Sequence, residues 1–326
     1  MKRPPLSIKG CETVANEAFK NYPEPAVTVL ISLYNYSAYI DGCLDSVRAS
    51  RTDGLPGGFE VVVVDDCSTD ASAKVVEQYM ATHDLPLCLI KKPLNSGLSD
   101  TRNLGLQAAR SPFIFILDAD NEIRPECLLA HYNAMASSDC AMVYGKINQF
   151  DHATRKNLRT FSDIEWNIRE LISHPMIDAM AMIRKEPVLQ LGGYSTEYGR
   201  VLPHLWEDYD LWLKLAQAGY TGKLIPQILS DYRVHSQSMI RATQPDNCEL
   251  AVYFSRKFHF LIQSHIDLPR FFGVSSDELA RASGQDGWLQ PPFPGGRPKL
   301  VHRVLGKKIC RSICKRLASV CRWLYP

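Results

Sequence analysis

Residues 111–125 read SPFIFILDADNEIRP. Five apolar residues, Phe113 to Leu117, run without a break into Asp118 and Asp120, with Glu122 close behind. A short continuous apolar run bounded by turn formers is the pattern of a strand covered on both faces. One that ends in acids sets carboxylates at the mouth of a sheet. Upstream, Val27–Leu33 (VTVLISL), Phe59–Val64 (FEVVVV) and Leu87–Ile90 read as further strands of the same kind. Between them lie helical patterns. Ser37–Ala49 carries Ile40, Cys43, Leu44 and Val47 at helical spacing; a second helix runs from Ser68 to about Met80 and a third over Ser99–Ala109. Downstream, Ala141–Ile147 reads as a strand, Pro187–Leu191 precedes a Gly192-Gly193 turn, and Asp208–Ala218 is an amphipathic helix. Strands alternating with helices predict an α/β, Rossmann-like fold with a mainly parallel sheet flanked by helices. Such sheets bind ligands beyond the carboxyl ends of their strands. Three of those ends carry Tyr34-Asn35, Asp65-Asp66, and Asp118 with Asp120.

The 326 residues, 45% hydrophobic and 22% charged, have the composition of a globular protein. The ten cysteines form no CxxC pair, which excludes the common zinc patterns and fits reduced thiols in the cytoplasm. The first twenty residues hold no apolar core of a signal peptide, and no run approaches the roughly 18–20 apolar residues of a membrane span. Residues 287–326 carry nine Lys/Arg and no acid; removing them from the chain's 37 leaves 28 against 35 Asp/Glu, a net of −7. An acidic body argues against nucleic acid as a partner. The chain divides on this reading into a lead-in (1–25), the α/β domain (26–240), a helical extension (241–289), a Pro/Gly linker (290–298) and a basic amphipathic helix (299–326). On that last helix Val301, Leu305, Ile309, Ile313, Leu317, Val320 and Leu324 share one arc, with Lys307, Lys308, Arg311, Lys315 and Arg322 on another. It reads as a peripheral anchor on an anionic membrane surface, or else as a helix docked on the acidic body.

An Asp-x-Asp at a strand end suits a hard divalent cation, which takes one or two carboxylates and completes its shell with substrate phosphates. Turn and cap roles are the alternative. Other segments raise the specificity. VTVLISLYNYSAYIDGCLDSV, EVVVVDDCSTDAS, NSGLSDTRNLGLQAARSPFIFILDADN, WEDYDLWLKLAQAGY and YRVHSQS occur in this order over about residues 26–238. Together they resemble the family 2 inverting glycosyltransferases, which have the GT-A fold. Ser32, Cys67, Asp100 and Asn121 depart from the family's usual Pro, Gly, Ala and Asp. None of the four removes an expected metal or catalytic group.

The resemblance implies roles. Asp65, or Asp66 beside it, would accept the ring N–H of a uracil or thymine, the alternative being that both cap the following helix. Leu33, Tyr34 and Asn35 would wall the nucleotide, or Tyr34 would pack in the core. Arg102 would approach the donor phosphates or pair with Asp118. Asp120 is the first choice as ligand of Mn²⁺ or Mg²⁺, with Asp118 on ribose or sugar and metal as a second duty, and His235 as a further ligand. Asp208 would be the general base of an inverting transfer and Glu207 its orienting neighbour; the helix N-terminus would keep Asp208 ionised. The bland alternative is a helix cap. The donor would be a UDP-sugar first and a dTDP-sugar second, and the acceptor a glycan or lipid-linked glycan of the cell surface. A nucleotidyltransferase would need a Gly-rich basic loop after the first strand, and a dehydrogenase G-x-G-x-x-G; both are absent from YNYSAYIDG. The rival of another class is a sugar-binding scaffold without turnover.

Overall fold

The computed structural model describes residues 8, 10–22, 24–197, 206–236 and 247–283. The chain enters as a short strand, β1 (Glu12–Ala15), and a helix, α1 (Glu17–Asn21), whose first turn is capped by Asn16 accepting the Phe19 N–H at 2.9 Å. Three strand–helix pairs follow: β2 (Val27–Leu33) with α2 (Ile40–Arg48), β3 (Phe59–Asp65) with α3 (Ser72–Thr82), and β4 (Leu87–Lys91) with α4 (Leu98–Ala108). Then come β5 (Phe113–Asp118), β6 (Glu122–Ile123), α5 (Cys127–Ala136), β7 (Met142–Asp151) and β8 (Asn157–Phe161). The set closes with α6 (Ile168–Ser173), β9 (Ala181–Arg184), α7 (Lys185–Gln190), α8 (Glu207–Gln217) and β10 (Gly222–Val234).

The strands form one sheet in the order β1-β4-β3-β2-β5-β9-β7-β10-β6, with β8 beside β7. It is parallel through β4-β3-β2-β5 and again at β7–β10. Strands β1, β6, β8 and β9 run antiparallel to their neighbours. Every residue of β2 and β3 is buried, because crossover helices cover both faces of a parallel strand. Helix α4 lies so close to β2 that a Cβ on Gly105 would sit 2.0 Å from Leu30 Cδ1. At the amino ends of the strands Glu60 is fully buried, accepts Thr28 Oγ1 at 2.8 Å and the Arg110 N–H at 2.9 Å, and pairs with the Arg110 guanidinium. That end is closed by a satisfied polar cluster, so the carboxyl ends are left for ligands.

The α/β sheet read from the sequence is present, with differences of physical origin. Helix α3 begins at Ser72, not Ser68, because residues 65–70 form a turn in which Cys67 has φ 61°. Strand β10 interrupts its own register between Ile225 and Ser230 around Pro226, and β9 has four residues. Neither leaves the long apolar run that marks β2 or β3. The described residues fall into two compact units, 8–171 with 176–196 and 206–236, and 172–175 with 197 and 247–283. The second holds helices Asn247–Lys257, His259–Gln263 and Ser276–Ser283 around buried Phe254, Phe258, Phe271, Phe272 and Leu279. Among the described residues no helix is long and apolar enough to cross a membrane. The segments read as a linker (290–298) and a basic helix (299–326) lie outside the described residues.

Candidate active site

The end of β2 separates into three roles. The Leu33 side chain is core (1% exposed), so only its backbone faces the mouth, its carbonyl accepting the Asp66 N–H at 2.8 Å. This corrects its assignment to the nucleotide wall. Tyr34 is 42% exposed and free to present its ring, which excludes the core-packing alternative. Asn35 takes a left-handed conformation (φ 57°) that Asn tolerates, and its Oδ1 accepts the Thr69 N–H at 2.8 Å, fastening β2 to the turn after β3.

That turn sorts the two acids. Asp65 is buried and accepts both the hydroxyl (2.5 Å) and the N–H (3.2 Å) of Ser68; burial raises its pKa against those bonds. Asp66 is spent inside the protein. Its Oδ1 pairs with Lys92 Nζ at 2.6 Å and accepts the Ser96 N–H at 3.0 Å, while Oδ2 accepts the Gly97 N–H at 2.9 Å. Neither acid caps α3. Asp100 gains a reason here, since it pairs with the same Lys92 at 2.9 Å and balances a cation that is 5% exposed. Cys67 stands in left-handed geometry, which costs an L-residue roughly 1–2 kcal/mol. Cys67→Gly is therefore expected to stabilise the protein by about 1 kcal/mol net of glycine's extra unfolded-state entropy, read as a raised Tm.

The end of β5 carries the densest charge. Arg102, 1% exposed, donates from Nη2 to Asp118 Oδ1 at 2.7 Å and from Nη1 to Glu207 Oε1 at 2.6 Å. It is enclosed, with both terminal amines engaged, so it acts through these acids instead of reaching out to phosphates. The next residue, Asn103, receives the Tyr194 N–H at 2.7 Å and donates to the Tyr194 carbonyl at 2.8 Å, holding the Gly192-Gly193-Tyr194 turn. A Cβ on Gly193 would meet Asn103 Oδ1 at 2.3 Å, so that position needs glycine. Ser195 then donates to buried Asp210 at 2.5 Å, fixing the start of α8.

Asp208 accepts only the Tyr209 N–H, at 2.7 Å, and its other oxygen has no partner among the described residues. It thereby takes one of the free N–H groups in the first turn of α8, as the helix-cap alternative has it, while the N-cap residue Trp206 makes no side-chain cap. The expectation that the helix N-terminus would keep its pKa low fails: burial raises both Asp208 and Glu207, with Arg102 opposing.

Asp120, 6% exposed, meets His235 Nε2 through Oδ2 at 2.9 Å. Tyr39 stacks on the imidazole at 4.5 Å and Tyr36 meets it edge-on at 5.9 Å, fixing the ring. A carboxylate oxygen and an imidazole nitrogen are ligands that Mg²⁺ or Mn²⁺ accepts, and the pair would exchange its mutual hydrogen bond for the ion. Burial raises the pKa of Asp120, against His235, and a carboxylate in that position gains most from a nearby cation. No group of three His, Cys, Asp or Glu able to hold a metal occurs among the described residues, so phosphate and water would complete the shell. Asn121, 1% exposed, accepts the Arg233 N–H at 2.9 Å and ties β10 to this turn.

Sequence reasoning missed Asp178, which lies in no motif. It and Tyr194, whose Gly-Gly turn the sequence marks for the acceptor side, both feel the charges of Asp118, Asp208 and Arg102.

A family model described as glycosyl transferase family 2 matches residues 28–192. The amylovoran biosynthesis glycosyltransferase AmsE of Erwinia amylovora is 26% identical over 215 residues, 64% of this chain and 76% of that one. Two other bacterial relatives match at 30% and 39% identity, and the chain spans only 15% and 28% of their length. Among solved structures, S. aureus TarS 1-349 in complex with UDP-GlcNAc superposes with TM-score 0.58 at 20% identity, over 78% of this chain and 70% of that one. The mannosyltransferase PcManGT from Pyrobaculum calidifontis, in complex with GDP-Man and Mn²⁺, superposes with TM-score 0.50 at 19% identity, over 92% and 76%. At these identities the two structures establish likeness of fold.

Proposed function

The chain belongs to glycosyl transferase family 2, and from that premise we propose that it moves a sugar, with inversion, from a nucleotide-sugar to a hydroxyl of a glycan or lipid-linked glycan in cell-surface polysaccharide synthesis. The observation that carries the proposal is the Arg102 guanidinium. It pairs with Asp118 of the Asp-x-Asp turn and with Glu207, 105 residues from it along the chain, which supports a shared mouth for the donor-side acids and Asp208.

In this reading Tyr34 stacks on the nucleobase and Asp65 accepts its ring N–H, with a UDP-sugar the first donor and a dTDP-sugar the second. Asp118 accepts a hydrogen bond from a ribose or sugar hydroxyl at its second oxygen while Arg102 donates to the first. Asp120 and His235 hold the cation, Mn²⁺ or Mg²⁺, which when bound offsets charge on the departing nucleoside diphosphate. Asp208 takes the proton from the acceptor hydroxyl as that oxygen attacks the anomeric carbon. The new C–O bond forms on the face opposite the phosphate, and the bond to the diphosphate oxygen breaks. Glu207 is a positioning residue that acts through Arg102. The names of AmsE and of the TarS complex support the polysaccharide context and a UDP-linked donor. The proposal also keeps the division at 26–240, 241–289, 290–298 and 299–326, with the basic last segment resting on an anionic membrane at the cytoplasmic face.

The test is the anomeric configuration of the product. Incubated with UDP-, dTDP- and GDP-sugars and a crude lipid-linked acceptor fraction, the protein is expected to release nucleoside diphosphate from one donor class. The anomeric proton of the product, read by NMR, should have the configuration opposite to the donor's. Retention would overturn the direct-displacement role of Asp208. Absence of release from every donor would promote the scaffold reading.

A further inference from the structure

We propose that Arg233 and Glu122 are positioning residues for the cation: together they clamp Asp120 and His235 into register with each other, and neither side chain touches the ion. The inference rests on the reading above in which Asp120 and His235 hold the metal.

Glu122 is the third acid of 118–122 and has no part in the transfer itself. Both of its oxygens are taken by guanidinium groups. Oε1 accepts Arg155 Nη1 at 3.1 Å and also Arg233 Nη2, while Oε2 accepts Arg155 Nη2 at 3.1 Å. A carboxylate shared by two such forks is spent on them, so Glu122 aims Arg233 and is not a third metal ligand.

Arg233 stands on β10, two residues before His235, and grips the turn that carries Asp120 at three points. Its backbone N–H donates to Asn121 Oδ1 at 2.9 Å, its Nε to the Asp120 carbonyl at 2.8 Å, and its Nη2 to Glu122. Nη1 meets His152 Nδ1 at 3.1 Å. The guanidinium lies over the rings of Phe150 at 5.0 Å and Tyr39 at 5.5 Å, and Tyr39 in turn stacks on the His235 imidazole at 4.5 Å. Asp120 and His235 meet at 2.9 Å although 115 residues separate them along the chain. Arg233 is bonded to the backbone of the first and packed on the ring that steadies the second. Partners that orient metal ligands in this way carry about 10–100-fold of metal affinity.

Charge alone predicts the opposite sign. A fixed guanidinium next to Asp120 repels a divalent ion, so its removal would tighten metal binding if repulsion were its main effect.

The test titrates Mn²⁺ into the full chain with excess UDP, and again with excess dTDP, reading free Mn²⁺ by electron paramagnetic resonance for wild type, Arg233→Met and Arg233→Lys. Glu122 keeps Arg155 in both variants, so no acid is left without a cation. Methionine removes the charge and the side-chain bonds. Lysine keeps the charge but lacks the planar fork that spans the Asp120 carbonyl and Glu122. Both variants are expected to bind Mn²⁺ roughly tenfold or more weakly than wild type, and a large excess of Mn²⁺ should restore nucleotide affinity to within about twofold of wild type. Equal or tighter Mn²⁺ binding by Arg233→Met would overturn the proposal, leaving repulsion as the effect of this residue. Nucleotide affinity that excess Mn²⁺ fails to restore would mean a merely structural role and overturn it as well. If Arg233→Met does not fold, the same two readings on Arg233→Lys decide. A wild type that binds no Mn²⁺ with either nucleotide would instead overturn the cation role of Asp120 and His235 itself.

Discussion

Asp208→Asn is expected to slow sugar transfer by roughly 10²–10⁴-fold, the usual contribution of a positioned general base, with donor affinity unchanged within about twofold. The carboxylate has one oxygen held by the Tyr209 N–H and the other free of described partners, so the amide fits the same space but cannot take a proton. Burial raises the Asp208 pKa, so the acid limb of the wild-type rate profile should lie above the pH at which an ordinary aspartate titrates. The carboxylate must be ionised to act, so the rate falls as pH drops through that limb. Steady-state transfer across pH 4–8 checks both statements. Near-normal transfer by Asp208→Asn would remove the base from this position.

Arg102→Met should cost about 3–5 kcal/mol of stability, a large share of the roughly 5–15 kcal/mol that holds a protein folded. Methionine replaces much of the volume but leaves Glu207 and Asp118 without the cation that each meets within 2.7 Å. The pH dependence has a definite sign. Burial already lifts Glu207 above its ordinary value against Arg102, and losing Arg102 lifts it further. A group whose pKa is higher folded than unfolded favours the fold at low pH, and that contribution is lost as pH rises through the folded value. The deficit of the variant is therefore constant below the wild-type Glu207 value of about 8 and deepens above it. Urea unfolding at pH 6 and pH 9.5 measures it, and a deficit independent of pH would contradict the ion-pair account. The variant should also bind donor poorly, since Asp118 loses the partner that orients it.

The strands that build the site were legible because β2, β3 and β5 are covered on both faces and so read as unbroken apolar runs. Their ends were legible with them, since a change from β-branched residues to acids is itself a local signal. Arg102 was visible as a residue, but its partners were not: the span to Glu207 is a fact of packing that no local pattern encodes. The same holds for Asp66. Its proximity to Asp65 suggested a shared task, yet Lys92 and the N–H groups of Ser96 and Gly97 claim it. Asp178 was invisible for another reason. It precedes a strand of four residues in a methionine-rich run, where no local pattern marks a site. The helix-dipole argument for Asp208 misjudged magnitude, since a terminal dipole is worth about 0.3–1 kcal/mol at an exposed site and burial outweighs it.

The most direct measurement of the central claim is a calorimetric titration of the protein with UDP, dTDP and GDP, with and without Mn²⁺, repeated on Asp120→Ala. The account predicts that one nucleotide, UDP or dTDP, binds tightly only with the metal, and that Asp120→Ala loses this metal-dependent gain. Binding that ignores both the metal and Asp120, or no binding of any nucleotide, would contradict it.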